Sequence, residues 1–371
     1  MPALRLLRDG LVFSAGAALV AATLLSAVRA FVLPRGAHDP ISRAWYRFMR
    51  RLFLLWANRR RDFAGLDGVL GYFAPVAVLT LLPVWLAMVL AGFAAMFWAS
   101  GIRNPEAAFV LSGSSLLTLG FANDPTWFHM ILTFFEATIG LILVALLISF
   151  LPTLYGNFAR REAAVTMLDV RAGTPPSVLE FVSRAQRIGK LESGGLNPFW
   201  TMWEALFAEI EESHTSFPIL VYFRSPKPDN SWITAAGCVL DSAAFVRAAV
   251  AVPPDPQADL CIRAGYLALR SVADFFGVHY NKTPAYPAEP ISVTRAEFEE
   301  VYETLAEQGV LMVADLDQAW LDFAGWRVNY DSVLLALALM VAAPYAPWTS
   351  DRSGLHRPAA APFGERRSSA R

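Results

Sequence analysis

Three stretches of this chain carry no charge over lengths that match a lipid bilayer. They cover residues 10–28, 68–102 and 137–159, which is 19, 35 and 23 residues. About 20 consecutive apolar residues cross the hydrocarbon core as a helix. Each run is therefore long enough to span, and together they predict an all-α membrane protein with three transmembrane helices. Composition agrees, with 55% hydrophobic and 17% charged residues and a mean hydropathy of +0.40. A net charge of −1 leaves no basic excess for nucleic acid. At 371 residues the chain has room for a second domain outside the membrane.

Charge asymmetry sets an orientation. Arg35, Arg43, Arg47, Arg50, Arg51, Arg59, Arg60 and Arg61 lie between the first two runs, and only Arg103 lies between the second and third. Arg160 and Arg161 follow the third run. The positive-inside rule places the first loop and the C-terminal part in the cytoplasm and residues 103–126 outside. Residues 1–34 could pass for a signal peptide, with Arg5 and Arg8 ahead of the apolar run. Cleavage would leave the arginine cluster outside, so this segment is read as a span. In the cluster, Ile41, Trp45, Phe48, Met49, Leu52 and Trp56 share one helical face and the arginines the other. That pattern predicts a basic interfacial helix in 35–67, either a passive anchor or a slide helix coupled to the rest.

Between the second and third runs stands the segment Phe109 to Asp124, reading FVLSGSSLLTLGFAND. Ala108 to Leu117 has the length of a half-helix, and its hydroxyls Ser112, Ser114 and Ser115 could brace the next residues from behind. Thr118, Leu119, Gly120 and Phe121 offer successive carbonyls and one hydroxyl, the ligand set that can replace a cation's water shell. Non-helical backbone at membrane depth is tolerated only inside protein or along a watery cavity. Residues 70–161 resemble the pore module of the two-transmembrane potassium-channel family: outer helix, pore helix, TVGYGD filter, inner helix. Thr118 matches the filter threonine, Leu119 the valine, Gly120 the first glycine and Phe121 the tyrosine. Ala122 stands where that family has its second glycine, and Asp124 comes one residue late, after Asn123. By this resemblance Thr118 to Ala122 form the conducting filter, and Ser112, Ser114, Ser115 and Asp124 support it. Gly140 falls near the family's hinge glycine, and Pro152, about 18 Å further along a helix, is a second flexible point. Ala122, lacking glycine's freedom at positive φ, is expected to be strained. Glu136 is placed at the wet interface.

From residue 162 the chain reads as a helical cytoplasmic domain to about 350, followed by a disordered tail over 351–371. Helices are expected over 177–188, 199–212, 233–252, 258–276, 294–308 and 311–326. A fourth uncharged run, 332–350, is broken by Pro344 and Pro347 and reads as a buried helix. Neither a P-loop nor a dinucleotide-binding glycine motif is present. Glu204, Glu209, Glu211, Glu212 and His214 could hold a metal but read better as an exposed acidic helix end. His279, Tyr280 and Asn281 read as a loop. Cys238 and Cys261 lie in the expected cytoplasmic domain, where a disulfide is disfavoured.

These features define five segments: a first span (1–34), the basic interfacial helix and loop (35–67), the pore domain (68–161), the cytoplasmic domain (162–350) and the tail. The expected function is the pore-forming subunit of a homotetrameric cation channel, potassium-conducting by its resemblance, multi-pass in the plasma (inner) membrane among lipid. No enzyme activity, metal or cofactor is expected, the permeant ions apart. The alternatives are a non-conducting membrane-anchored signalling or binding protein, with Ala122 in its favour, and a membrane-tethered enzyme. The ligand of the cytoplasmic domain is left open.

Overall fold

The computed structural model describes residues 2–33, 39–57, 59, 63–192 and 194–352. Arg35, Arg60 and Arg61 of the basic loop, and the expected tail from residue 353 onward, lie outside the described residues. The described part is all-helical, and its one β-bridge pairs Val250 with Met312. The chain divides into two units, residues 1–159 with 216–223, and residues 160–215 with 224–371.

The first unit holds α1 (Pro2–Phe31), α2 (Pro40–Ala57), α3 (Phe63–Gly71), α4 (Phe73–Ser100), α5 (Pro105–Leu116) and the first part of α6 (Trp127–Ala172). Along α4, Leu81, Trp85, Val89, Phe93 and Phe97 recur every fourth residue and are buried, so they form a single stripe. That stripe meets Val20 and Ala27 of α1, Ala108, Leu111 and Leu116 of α5, and Leu132 and Leu143 of α6. Two glycines let α1 and α4 cross at backbone distance. A Cβ on Gly16 would stand 2.5 Å from Gly92 O, and one on Gly92 would stand 2.9 Å from Gly16 O. Small residues at a crossing are how apolar helices gain contact without a hydrophobic driving force.

Apart from that seam, the apolar helices keep much of their surface open. Phe134, Phe135, Leu141, Ile142 and Ile148 of α6 are exposed. On α2 the apolar arc is divided. Met49, Phe53 and Ala57 are buried, and Trp45 donates its indole N–H to Ala77 O at 3.2 Å, while Phe48, Leu52, Leu55 and Trp56 face outward. Asp39 caps α2 by accepting from Ser42 N (2.8 Å) and ties it to α1 through Ser26 Oγ (2.7 Å). Residues 216–223 also pack in this unit, with Phe217 against Phe150 and Tyr222 against Phe73.

The second unit begins with the last residues of α6 and contains α7 (Val178–Arg187), α8 (Asn197–Ser216, save its last residue), α9 (Trp232–Ala249), α10 (Pro256–Phe276), α11 (Arg295–Glu307), α12 (Leu316–Arg327) and α13 (Asp331–Met340). Local chemistry explains several starts. Ser177 caps α7, Asp255 caps α10, and Thr294 with Glu297 closes a capping box on α11. The helix expected over 311–326 begins instead at Leu316, capped by Asp315. The residues before it run alongside Val250, with Ala251 N donating to Leu311 O and Val313 N to Ala249 O. The 332–350 run is helical only through Met340. Residues 351 and 352, expected in the tail, belong to a 3-10 turn at Ser350–Arg352.

Four helical stretches among the described residues are long and apolar enough to cross a membrane: Ala3–Phe31, Phe63–Ser100, Trp127–Ala172 and Trp232–Ala249. The fourth, α9, differs from the others. Of its 18-residue apolar stretch 94% is buried within the protein, against 28%, 39% and 28% of an 18-residue stretch in each of the first three. It packs on α7, α10, α12 and α13, and it carries Asp241, whose carboxylate receives Arg327 Nη1 and, at 2.8 Å, Tyr330 OH. Arg327 Nε also bonds Asp331 Oδ1 at 2.8 Å and Nη2 bonds Trp348 O at 2.5 Å. Burial opposes a charge on Arg327, yet the two carboxylates outweigh it and hold the guanidinium above its usual range. α9 is thus the axis of a globular core. Cys238 on α9 and Cys261 on α10 are buried free thiols, and burial pushes both up.

Candidate functional site

The loop 117–126 lies between two of the apolar helices, and α5 positions it. Asn104 caps α5 by accepting from Glu106 N at 2.9 Å, with Pro105 as its first helical residue. At 12 residues α5 is too short to cross a bilayer. Its C-terminus closes by a Schellman arrangement. Thr118 N donates to Ser115 O at 3.0 Å, and Leu119 N reaches back to Ser114 O at 2.8 Å. The position that must turn left-handed is Thr118, at φ 54°. Glycine is the usual occupant there, and a β-branched residue at positive φ is strained. Gly120 is left-handed too, at φ 72°, and its N–H also points to Ser114 O at 3.3 Å. Ala122 N donates to Ser114 Oγ at 3.0 Å.

Four N–H groups of the loop therefore face α5: those of Thr118, Leu119, Gly120 and Ala122. In a trans peptide the carbonyl lies opposite the N–H. The carbonyls of Leu117, Thr118, Leu119 and Phe121 accordingly turn away from α5. None of them accepts a hydrogen bond among the described residues. Leu117, Thr118, Leu119, Gly120 and Phe121 are exposed. The loop thus offers a set of unpartnered carbonyl dipoles, with the threonine hydroxyl beside them.

Behind the loop most polar groups are paired, the exception being Glu136 Oε2, which is buried without a hydrogen-bond partner among the described residues. Ser112 Oγ lies 2.5 Å from Glu136 Oε1 and 3.0 Å from Leu90 O, tying α5 to both α6 and α4. Glu136 is fully buried. This corrects its expected place at a wet interface, because Ser112, 24 residues away in sequence, supplies a partner inside the protein. Ser115 Oγ donates to Leu111 O at 2.8 Å, so this serine holds the loop with its carbonyl and not its hydroxyl. A Cβ on Gly140 would collide with Leu116 O. Gly140 is where α6 meets the end of α5. α6 is assigned as one helix through Gly140 and Pro152. Ala122 is not in the left-handed region, which corrects the strain expected there; Thr118 carries it instead.

At the far end of the loop Asp124 is held by His129, which Ser100 holds in turn; the sequence singles out neither His129 nor Ser100. Asp124 Oδ1 accepts from Thr126 N at 2.9 Å and meets His129 Nδ1 at 3.0 Å. His129 Nε2 lies 2.9 Å from Ser100 Oγ at the end of α4. Hydrogen bonds from Thr126, then His129, hold Asp124 down at about 2. The bonding order Ser, His, Asp is that of a hydrolase triad. Here Ser100 also faces Met96 O at 2.8 Å, and the N–H groups of Gly101 and Ile102 are both taken by Phe97 O. Neither of these N–H groups beside Ser100 is left to form an oxyanion hole. The signal that could have revealed the clamp is the presence of Ser100 and His129 at the polar ends of otherwise apolar runs.

In the second unit the acidic residues on α8 diverge. Glu204 receives Gln257, Glu211 receives Ser271 at 2.8 Å, and His214 faces Arg161 at 3.0 Å. Among the described residues no three metal-ligating side chains converge. Burial, then Arg161, holds His214 well below the usual imidazole range. Tyr280 bonds Asp274 and Asn281 bonds Glu289.

No protein-family model, no curated protein and no solved structure matches the chain.

Proposed function

We propose that this chain is the pore-forming subunit of a homotetrameric cation channel in the plasma (inner) membrane, with potassium as the favoured ion. The observation that carries the reading is the row of outward carbonyls at Leu117, Thr118, Leu119 and Phe121, exposed on a loop between long apolar helices. Carbonyl dipoles replace water around a monovalent cation when several converge. One loop supplies one arc, so four copies are needed to close a ring. In this reading α1, α3–α4 and α6 are the three spans, α5 is a re-entrant half-helix, and Gly140 and Pro152 are the bending points. The arginine asymmetry puts the loop outside and the second unit in the cytoplasm, and the permeant ion is the only ligand the pore requires.

The test is recording from purified protein in planar bilayers. A cation current larger in potassium than in sodium, blocked by barium, is the expected result. Silent bilayers from intact tetramers across pH and voltage exclude conduction and leave a membrane-anchored binding protein. A second reading takes Ser100, His129 and Asp124 as an esterase triad, favoured by their bonding order alone. Labelling of Ser100 by a fluorophosphonate would support it; an unlabelled protein excludes it.

A further inference from the structure

The second unit holds a cavity of about 690 Å³. Its walls come from the last turn of α6, from α7, and from the start of α8 with the segment before it. The volume falls in the range of small-molecule sites, roughly 300–1,000 Å³. Phe181, Leu196, Phe199 and Met202 supply an apolar interior, and Phe181 and Phe199 are themselves buried. Four cations stand around it: Arg171, Arg184, Arg187 and Lys190.

Two of the four are held in place by the protein. Arg184 pairs with Glu180 at 3.0 Å and donates to Val170 O at 2.8 Å. Arg171 donates to Met167 O at 2.8 Å and lies over the Phe199 ring. The other two are not. Arg187 and Lys190 are exposed, and among the described residues neither side chain has a carboxylate or other hydrogen-bonding partner. Two free cations at the mouth of an apolar cavity leave positive charge for a ligand to neutralise.

The rest of the lining narrows the chemistry. Among the described residues it contains no Ser, Thr, Asn, Gln, His, Asp or Glu. A nucleoside or sugar buried here would leave its hydroxyl and amino hydrogens without side-chain acceptors, at a desolvation cost. A hydrocarbon body has no such groups, and an acidic head satisfies the cations through charge-assisted hydrogen bonds. We propose that this cavity binds an anionic amphiphile, with its hydrocarbon body among Phe181, Phe199 and Met202 and its carboxylate or phosphate head on Arg187 and Lys190. The inference does not depend on whether the chain conducts ions.

Such a head could belong to a free amphiphile or to a bilayer lipid, and the experiment separates them. Full-length protein in phosphatidylcholine nanodiscs is titrated calorimetrically with laurate below its micellar concentration, against empty nanodiscs. Dodecanol serves as the uncharged counterpart. Expected are one laurate per chain, weaker binding of dodecanol, and at least about tenfold weaker laurate binding by the R187E/K190E variant. Both residues are exposed, so the variant should keep its fold, which circular dichroism checks. Met202→Trp, which fills the cavity, should also lose laurate. Absence of laurate binding, or unchanged affinity in R187E/K190E, overturns the proposal. So does binding that appears only when phosphatidylglycerol replaces part of the bilayer and is insensitive to added laurate. In that case the cations form a membrane-surface patch and the cavity has no occupant.

Discussion

Thr118 holds a backbone conformation that its side chain disfavours, and it is the residue the sequence pattern matches to the filter threonine. Thr118→Gly should therefore raise unfolding stability by about 1 kcal/mol while removing the one hydroxyl in the carbonyl row. A rise in thermal midpoint together with lost cation current would show strain retained for function; a fall in midpoint would place the origin of φ 54° elsewhere. Ala122→Gly relieves nothing, because Ala122 is not left-handed, and should leave the midpoint unchanged or slightly lower. Ser114→Ala removes the acceptor of Ala122 N and should cost about 1–2 kcal/mol. Asp124 gives the loop a pH dependence. Its carboxyl is depressed to about 2 in the fold, so its contribution is complete above the unfolded value near 3.9 and is lost as pH falls through about 2. An acid titration of loop protection by hydrogen exchange should show this step, and Asp124→Asn should flatten it.

Between elements, the contact of Gly140 with Leu116 O sets how closely α6 approaches α5. Gly140→Ala drives a Cβ into that backbone oxygen and should destabilise by about 1–3 kcal/mol through overpacking, read as earlier thermal unfolding in detergent. Glu136→Gln keeps both a donor and an acceptor toward Ser112 and should be tolerated, whereas Glu136→Ala leaves a cavity and Ser112 with Leu90 O as its remaining partner. For topology, a cysteine at exposed Ala107 should react with an impermeant maleimide from outside in intact cells, and one at exposed Ala44 should not; the reverse pattern refutes the orientation. The sequence made the three long apolar helices legible because hydropathy is a local property, and it placed the helix starts near Ser177 and Thr294 because the signals that open a helix are local too. It misplaced the start of α12 because Leu311, Met312 and Val313 are apolar enough for a helix, and only pairing beside distant Val250 holds them extended. Glu136 was misplaced for the same reason: its partner Ser112 lies on another helix. The loop was legible by composition, but the handedness at Thr118 comes from a Schellman closure that no residue type signals when glycine is absent.

Across the whole molecule the two units depend on different physics. The first is held by glycine crossings and an apolar stripe, with much of its surface open. The second encloses α9 and ties its core through the buried guanidinium of Arg327. Arg327→Met would leave Asp241 and Asp331 without their counter-charge and should cost about 3–5 kcal/mol. Chemical denaturation followed by tryptophan fluorescence should show the second unit melting first, while a triple change that also makes Asp241 and Asp331 apolar should recover much of the loss. The two native thiols lie inside that same core, Cys238 on α9 and Cys261 on α10. In the folded chain they are sheltered from reagent, so the unaltered protein serves as its own blank in any labelling study. Once the core opens, the same two sulfurs become a clock: the rate at which the natural chain takes up a thiol reagent counts the openings of the second unit without any engineered probe.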